Sequence, residues 1–143
     1  MKKYTVGIIF DQKFENILLI LKNRPEHLKG TYNGPGGRFE DEDRDCYDCI
    51  VREVREECLI ETSPSNWRYC GVLESSDQTI DFLTISYQGA HEDAVTSTDE
   101  DVSWISLSFL PANLSKNLDW IIPRALEVAR QKENLEPFNG QLE

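Results

Sequence analysis

Apolar residues along the chain follow a two-residue period in some segments and a helical period in others. Runs rich in β-branched and aromatic residues predict strands at 4–10, 17–21, 67–74, 79–87 and 102–107. The first two runs flank a polar turn, so we expect them to pair as a hairpin. The alternation shifts within the fourth run, which suggests a β-bulge in that strand.

Two segments have the spacing of amphipathic helices. The first runs from Asp45, a suitable N-cap, to Leu59 and places small apolar residues on one face. The second begins near Asn117, and we expect Pro123 in its first turn. The tail over 134–143 is polar and is expected to fray. This mixture of strands and helices predicts an α/β fold.

Composition narrows the class of protein. The chain has 143 residues, 39% apolar and 29% charged, which predicts one globular domain over residues 1–143. No run approaches the ~18 apolar residues of a membrane span, and Met1-Lys2-Lys3 precedes a strand instead of a signal peptide. We therefore expect a cytoplasmic protein without a membrane partner. The net charge of −11 argues against a nucleic-acid polymer as partner.

Two of the four cysteines form a Cys46-x-x-Cys49 pair. Such a pair can bind zinc, but no second pair stands at ligand spacing and the only histidines are His27 and His91. Both cysteines fall inside the first predicted helix, where thiols pack as small apolar groups. We therefore favour core thiols over zinc or a disulfide.

The segment over 33–60 carries the candidate chemistry. Glu53, Glu56 and Glu57 share one helix face, because residues three and four apart are neighbours there. Like charges at this spacing repel, so a hard divalent cation such as Mg²⁺, with Mn²⁺ as an alternative, would stabilise them. The turn Asn33-Gly34-Pro35-Gly36-Gly37 leads into this helix, and its backbone is suited to cradle a polyphosphate.

The segment resembles the Nudix box, G-x5-E-x7-R-E-U-x-E-E-x-G-U, in which U is an aliphatic residue. Residues 52–60 match the part from R-E-U onward, except that Leu59 replaces the glycine. One residue is inserted between Gly37 and the arginine, so either Asp43, which we prefer, or Glu42 takes the position of the first glutamate. The glycine would end the helix in a left-handed conformation, so either this helix ends differently or Leu59 is strained.

This resemblance to the Nudix hydrolase family, and to its MutT-like nucleoside triphosphate pyrophosphohydrolases, implies a fold and a reaction. The fold would be an α/β/α sandwich around a mixed β-sheet. The activity would be Mg²⁺-dependent hydrolysis of a nucleoside triphosphate, oxidised purine or other non-standard nucleotides included, to nucleoside monophosphate and pyrophosphate. A nucleotide sugar or dinucleotide is the alternative substrate, and a non-catalytic nucleotide-binding module is the alternative class. The partner would be a small-molecule nucleotide, and the protein a monomer or homodimer.

The resemblance also implies roles for the box residues. Glu53, Glu56 and Glu57 would hold the metal, with the Gly37 carbonyl as a further ligand. Glu56 would be closest to the role of catalytic base. Arg52 would pair with a box carboxylate and orient it. All four charged residues are therefore catalytic candidates.

Other candidates lie outside the helix. Lys22 and Arg24 are expected phosphate contacts, or else ordinary surface charges. Asn33 either hydrogen-bonds a nucleobase or only forms the turn. Nudix hydrolases commonly carry a further carboxylate, which can bind metal or act as base, in the loop before the last predicted strand. By that resemblance it falls on Glu100, with Asp99 second, unless the loop is merely solvated. The remaining substrate-binding candidates belong to the glycine loop and the start of the last helix: Gly36, Arg38, Asn117, Asp119 and Trp120. The alternative for the tryptophan is the core.

Overall fold

Within residues 1–130 and 135–142, which the computed structural model describes, eight strands form one mixed sheet flanked by two α-helices. The strands are β1 (Lys2–Phe10), β2 (Asn16–Leu21), β3 (Tyr32–Asn33), β4 (Gly36–Arg38), β5 (Arg68–Glu74), β6 (Gln78–Ser86), β7 (Val102–Ser106) and β8 (Phe138–Gln141). The helices are α1 (Cys46–Cys58) and α2 (Leu118–Arg130). The predicted strands and both predicted helices are confirmed, whereas β3, β4 and β8 were not predicted.

The strand order is β3-β2-β1-β6-β5-β8, with β4 also paired to β1 and β7 also paired to β2. β1 is parallel to β6 and β5 is parallel to β8, whereas the other pairs are antiparallel. β1 and β2 form the predicted hairpin. The predicted bulge in β6 was wrong, because the register shift lies between Tyr69 and Gly71 of its partner β5, where the extra residue is Cys70.

One edge of β1 is shared between two partner strands. Its last two residues pair with β2, and its earlier residues 4–6 pair with β4. Where these partners diverge, the Gly7 amide donates to the Pro35 carbonyl at 2.7 Å. A Cβ on Gly34 would stand only 2.1 Å from the Gly7 carbonyl oxygen, so this close approach requires glycine. The glycine loop is therefore part of the sheet, at the point where the sheet divides.

Each face of the sheet is covered by one helix. On one face, α1 buries Ile50 and Val54 in a cluster that includes Trp67. On the other face, α2 buries Ile121 and Ala125 against apolar residues of β1, β5 and β6. Each fully buried isoleucine or valine side chain contributes roughly 1.5–3 kcal/mol when it is removed from water. These two apolar layers form an α/β/α sandwich, which confirms the expected fold class.

Three expectations about local structure have different outcomes. The prediction of a frayed tail was wrong over residues 138–141, because these pair with β5 as a strand; positions 134 and 143 lie outside the described residues. Pro123 lies inside α2, beyond the first turn, because the helix already begins at Leu118. All four cysteines, each within the described ranges, are unpaired thiols, and three of them are buried.

Candidate active site

α1 begins and ends at residues whose conformations cap the helix. The Asp45 carboxylate accepts the amide hydrogen of Asp48 at 3.0 Å, as expected for an N-cap. At the other end, Leu59 has φ 59° and ψ 26°, and its amide donates to the Arg55 carbonyl at 3.1 Å. A leucine in this left-handed conformation costs about 1 kcal/mol or more. The helix thus ends as a glycine would end it, with the strain placed on Leu59.

Arg52 contacts several carboxylates at once. Its guanidinium donates to Asp43 and to Glu53, each at 2.8 Å, and Glu56 lies at 3.4 Å. It also donates to the Arg38 carbonyl at 3.1 Å. The hydrogen bond between Asp43 and Arg52 raises the pKa of Arg52 and lowers the pKa of Asp43. Asp43, with 3% of its side chain exposed, is the least exposed of the described carboxylates that pair with Arg52, which supports the preference for Asp43 at the first acidic position.

Glu53 and Glu57 lie against the glycine loop. The Gly36 amide donates to the Glu57 carboxylate at 2.8 Å. A Cβ on Gly37 would stand 2.5 Å from the Glu53 carboxyl carbon. Burial raises the pKa of Glu57 to about 7 and also raises the pKa of Glu53, although hydrogen bonds from Gly36 and Arg52, respectively, act in the opposite direction. Both carboxylates are thus partly buried with incomplete charge compensation, which favours binding of a cation.

Glu56 differs from its two neighbours because 55% of its side chain is exposed. Across residues 1–130 and 135–142, no three His, Cys, Asp or Glu side chains stand close enough together to hold a metal ion as they are placed. A metal shared by all three glutamates would therefore require Glu56 to leave its long contact with Arg52. Its exposure leaves room for that rearrangement.

Glu100, in the loop before β7, is buried beside the residues that follow β2. Its carboxylate accepts the Lys22 ammonium at 3.1 Å and the backbone amides of Asn23 and Arg24 at 2.6 and 3.2 Å. Burial raises the pKa of Glu100, but these hydrogen bonds outweigh it and lower the pKa overall. Asp99 forms an exposed salt bridge with Arg24. Through Glu100 and Asp99 the acidic loop thus binds the residues that follow β2, which include both predicted phosphate contacts, Lys22 and Arg24.

A cavity of about 420 Å³ opens on the α2 face of the sheet, beside the glycine loop. Apolar side chains of β1, β5 and β6, among them Val6, Leu73 and Phe82, line one part of it. None of the described residues that line this cavity is an aspartate or a glutamate, although the chain has a net charge of −11. The predicted site residues that line it are Lys22, Asn33, Gly36, Gly37 and Asn117.

Four predicted substrate contacts lie away from this cavity. Arg24 and Arg38 are exposed, and so is Asp119 on the first turn of α2. Trp120 is 42% exposed, and its ring packs edge-on against Phe138 with centroids 5.0 Å apart. The structure therefore brings none of these four side chains to the cavity wall.

The side-chain carbonyl oxygens of Asn33 and Asn117 accept hydrogen bonds from groups within the protein. Asn33 Oδ1 accepts the Gly34 amide at 2.9 Å, so this side chain does form the turn. Asn117 Oδ1 accepts the indole N–H of Trp120 at 3.0 Å. Neither carboxamide NH₂ group has a partner among the described residues, so each is available to donate to a ligand.

Sequence reasoning missed several residues that line the cavity. They are His27, Gln78, Ser115, Lys116 and Leu142. Ser115 and Lys116 directly precede the predicted Asn117, whereas no local motif marks the others, and Gln78 and Leu142 reach the cavity through pairing of distant strands. The apolar residues within 135–142 could have indicated a further strand near Leu142. The polar residues between them obscured this pattern.

The arrangement of helix, glycine loop and divided sheet has counterparts among known proteins. A NUDIX domain model matches residues 1–125, so the chain belongs to the Nudix family. A MutT NUDIX hydrolase from Burkholderia pseudomallei superposes with a TM-score of 0.71 at 17% identity, covering 86% of this chain and 96% of that chain. An ADP-ribose pyrophosphatase from Streptococcus suis superposes with a TM-score of 0.70 at 22% identity, covering 98% of each. Both are similar to this protein in fold.

Within that family the chain is a Nudix hydrolase. Nudix hydrolases generally use divalent metals and act on small nucleotide substrates. The search of curated proteins found no match to this sequence. In the part of the chain that the structure describes, no helix is long and apolar enough to cross a bilayer.

Proposed function

We propose that this Nudix hydrolase converts a nucleoside triphosphate and water to a nucleoside monophosphate and pyrophosphate. The observation that carries the proposal is the position of Gly36 and Gly37. Glu57 and Glu53 contact these glycines, which also line the cavity. A diphosphate bound at this loop would be within reach of the acidic helix, while the rest of the nucleotide occupied the cavity.

The cavity supports a nucleoside as the group attached to the diphosphate. Its volume of about 420 Å³ lies within the ~300–1,000 Å³ range of small-molecule sites. An apolar sheet surface suits the face of a flat ring, and the NH₂ groups of Asn33 and Asn117 suit acceptor atoms of a bound nucleotide. Lys22 lines the cavity and forms a salt bridge with Glu100 at 3.1 Å, which supports a role for Lys22 as a phosphate contact.

The donor set of α1 fits Mg²⁺ or Mn²⁺, since both ions take carboxylate and carbonyl oxygens. Glu53, Glu56 and Glu57 would hold the ion, with the Gly37 carbonyl as a further ligand. When bound, such an ion neutralises phosphate charge and lowers the pKa of a bound water.

The chain's own residues then have separate tasks. Arg52 keeps the Glu53 carboxylate in place through its 2.8 Å hydrogen bond. Glu56, the most exposed of the three acids, would take the proton from the attacking water. A new P–O bond forms to the water oxygen while one P–O–P bond breaks, and pyrophosphate leaves. Glu53 and Glu57 are less exposed than Glu56 and contact Arg52 and the Gly36 amide, respectively, so Glu56 is the better candidate for that role.

Hydrolysis of a nucleotide sugar is the second candidate, since the Streptococcus suis ADP-ribose pyrophosphatase covers 98% of this chain in fold. A dinucleotide substrate belongs to the same alternative, and a nucleotide-binding module without turnover is the other. The cytoplasmic location, the single-domain organisation and the monomeric or homodimeric state stay predictions.

The proposal is tested with a panel of nucleoside triphosphates, nucleotide sugars and dinucleotides in Mg²⁺ or Mn²⁺, with products resolved by phosphorus NMR. We expect pyrophosphate release from at least one triphosphate. Glu56→Gln should lower kcat more than ~100-fold, because it removes a proton acceptor without changing side-chain size. Glu61→Gln, which alters only an exposed partner of Arg55, should retain wild-type kcat.

Each contrary outcome selects one alternative. Faster cleavage of a nucleotide sugar or dinucleotide than of every triphosphate would replace the proposed substrate. Saturable nucleotide binding without any product would identify a binding module. A Glu56→Gln enzyme that turns over like the wild type would remove Glu56 from the mechanism.

A further inference from the structure

The segment over residues 135–142, called here the β8 segment, lies beyond residues 1–125, which the NUDIX domain model matches. Membership of the family therefore assigns it no role. Its Leu142 nevertheless lines the same cavity as the glycine loop. The segment is thus a part of the cavity wall that this chain adds to the matched domain.

The β8 segment is anchored along its length. β8 runs parallel to β5, and the Leu142 amide donates to the Glu74 carbonyl at 2.6 Å. A Cβ on Gly71 would stand 2.4 Å from the Phe138 ring, so β5 admits this ring only because it has a glycine there. Phe138 also packs on Phe82, with ring centroids 5.8 Å apart. These contacts fix the backbone that presents Leu142.

Leu142 stands at the opposite side of the cavity from the acidic helix. In the sheet, β4 with Gly37 and β8 are separated by β1, β6 and β5. Four steps of about 4.8 Å between neighbouring strands place these two strands roughly 19 Å apart. A nucleotide whose diphosphate occupies the glycine loop would extend away from it, so the group nearest Leu142 is the one farthest from the reacting phosphorus.

The chemistry at this side of the cavity suits an uncharged ring. Leu142 is accompanied by Leu73 and Ile80, which are apolar, and by the single carboxamide of Gln78. A second phosphate or a sugar placed against Leu142, Leu73 and Ile80 would leave its polar groups unpaired on these apolar side chains. The carboxamide supplies one donor and one acceptor for the ring edge.

We propose that the β8 segment, acting through Leu142, is the specificity-determining wall of the cavity and selects nucleotides by the shape of their nucleobase. This inference rests on the proposed function, because it requires a diphosphate at the glycine loop. Leu142 is distant from the reacting atoms, so it acts on substrate binding and leaves the chemical step unchanged.

The test compares Leu142→Ala with Gln141→Ala, a matched change at the exposed neighbour on β8. For the preferred nucleotide we expect Leu142→Ala to raise KM about 10-fold, the scale of an apolar pocket contact, and to change kcat less than about 3-fold. It should also change the order of kcat/KM among triphosphates with different bases. Gln141→Ala should leave KM, kcat and this order unchanged.

A Leu142→Met enzyme replaces the alanine variant in this test if the alanine variant folds poorly, since the exchange of leucine for methionine conserves volume and usually preserves a core. Thermal unfolding identifies that case, and Leu142→Met should still reorder the bases. Unchanged KM and unchanged order in the folded variants overturn the inference. If the wild-type protein cleaves no nucleotide, the proposed function is contradicted instead. Titration calorimetry with the same nucleotides then tests the inference. The inference is overturned if Leu142→Ala binds them as tightly as wild type.

Discussion

The two faces of the sheet differ in charge. On the α1 face, Glu53 and Glu56 contact Arg52 and Glu57 contacts the glycine loop, whereas the described lining of the cavity on the α2 face contains no acid. The faces meet at Gly36 and Gly37. The difference agrees with the proposed function, in which side chains of α1 would set the rate of the chemical step and the cavity would set which nucleotide is bound.

A second contrast concerns buried carboxylates. Burial raises the pKa of Glu57 to about 7, with one backbone hydrogen bond opposing it. Burial acts in the same direction on Asp11, but its hydrogen bonds with Asn16, Glu15 and His91 outweigh it and lower the pKa to about 2. The protein thus supplies hydrogen-bond donors where a carboxylate has a structural task. At Glu57, where a cation is proposed to bind, it supplies fewer hydrogen-bond donors.

The largest expected effect comes from removing the positive charge of Arg52, which contacts several carboxylates on the α1 face. Arg52→Met should lower the free energy of unfolding by about 3 kcal/mol, because Asp43 is left buried without its cation. Urea denaturation measures this change. Arg55→Met on the same helix, which breaks only an exposed pair with Glu61, should have little effect. Equal losses in the two variants would mean that Arg52 does not organise this face.

The next effect tests the contrast between buried carboxylates. The folded pKa of Asp11 lies below its ordinary value of 3.8, so its stabilisation is present above about pH 4 and is lost as pH falls through 2. Asp11→Asn should therefore lower stability by about 2 kcal/mol at pH 7, and this difference should shrink toward pH 2.

Urea denaturation over this pH range measures the Asp11 effect. Asp41→Asn, at an exposed position, serves as the control and should match wild type throughout. A difference between Asp11→Asn and wild type that stays constant down to pH 2 would show that the loss does not arise from ionisation.

Changes at the junction of the two faces should separate activity from folding. Gly37→Ala places a Cβ 2.6 Å from both Glu53 carboxylate oxygens, and this flexible side chain can move aside. We expect kcat to fall about 10-fold or more with the fold retained, as for a misplaced catalytic group. Gly36→Ala meets the Thr5 carbonyl oxygen at 2.0 Å, and this backbone atom cannot move aside, so that variant should lose stability first.

Activity assays and thermal unfolding of the two glycine variants give the comparison. A fully active Gly37→Ala enzyme would contradict a fixed position for Glu53. A Gly36→Ala protein as stable as wild type would contradict the tight pairing of β4 with β1.

The smallest expected effect lies at the end of α1. Leu59→Gly should stabilise the protein by about 1 kcal/mol, because glycine adopts the left-handed conformation without strain. Leu59→Ala keeps the strain and should give no such gain. Chemical denaturation distinguishes the two variants, and kcat should stay at the wild-type value. A destabilising Leu59→Gly would show that contacts of the leucine side chain outweigh its backbone strain.

The parts of the structure that could be predicted are those encoded by neighbouring residues. The spacing of Glu53, Glu56 and Glu57, the capping role of Asp45 and the turn at Asn33 are all local, and each was found from the sequence. The bulge, β8 and the burial of Glu100 depend on which distant strands pair. Leu142 reaches the cavity only because β5 carries Gly71 at the place where Phe138 packs, and no short-range pattern contains that information.

The parallel pairing of β1 with β6 has a consequence for how the protein folds. It joins segments about 76 residues apart, as in the bond from Thr84 to the Ile8 carbonyl. Closing so long a loop is entropically expensive and slows folding, whereas a helix such as α1 forms from local contacts in about a microsecond. Nucleotide turnover should therefore appear only after β1 has paired with β6, because the acidic helix packs on the sheet that this pairing completes.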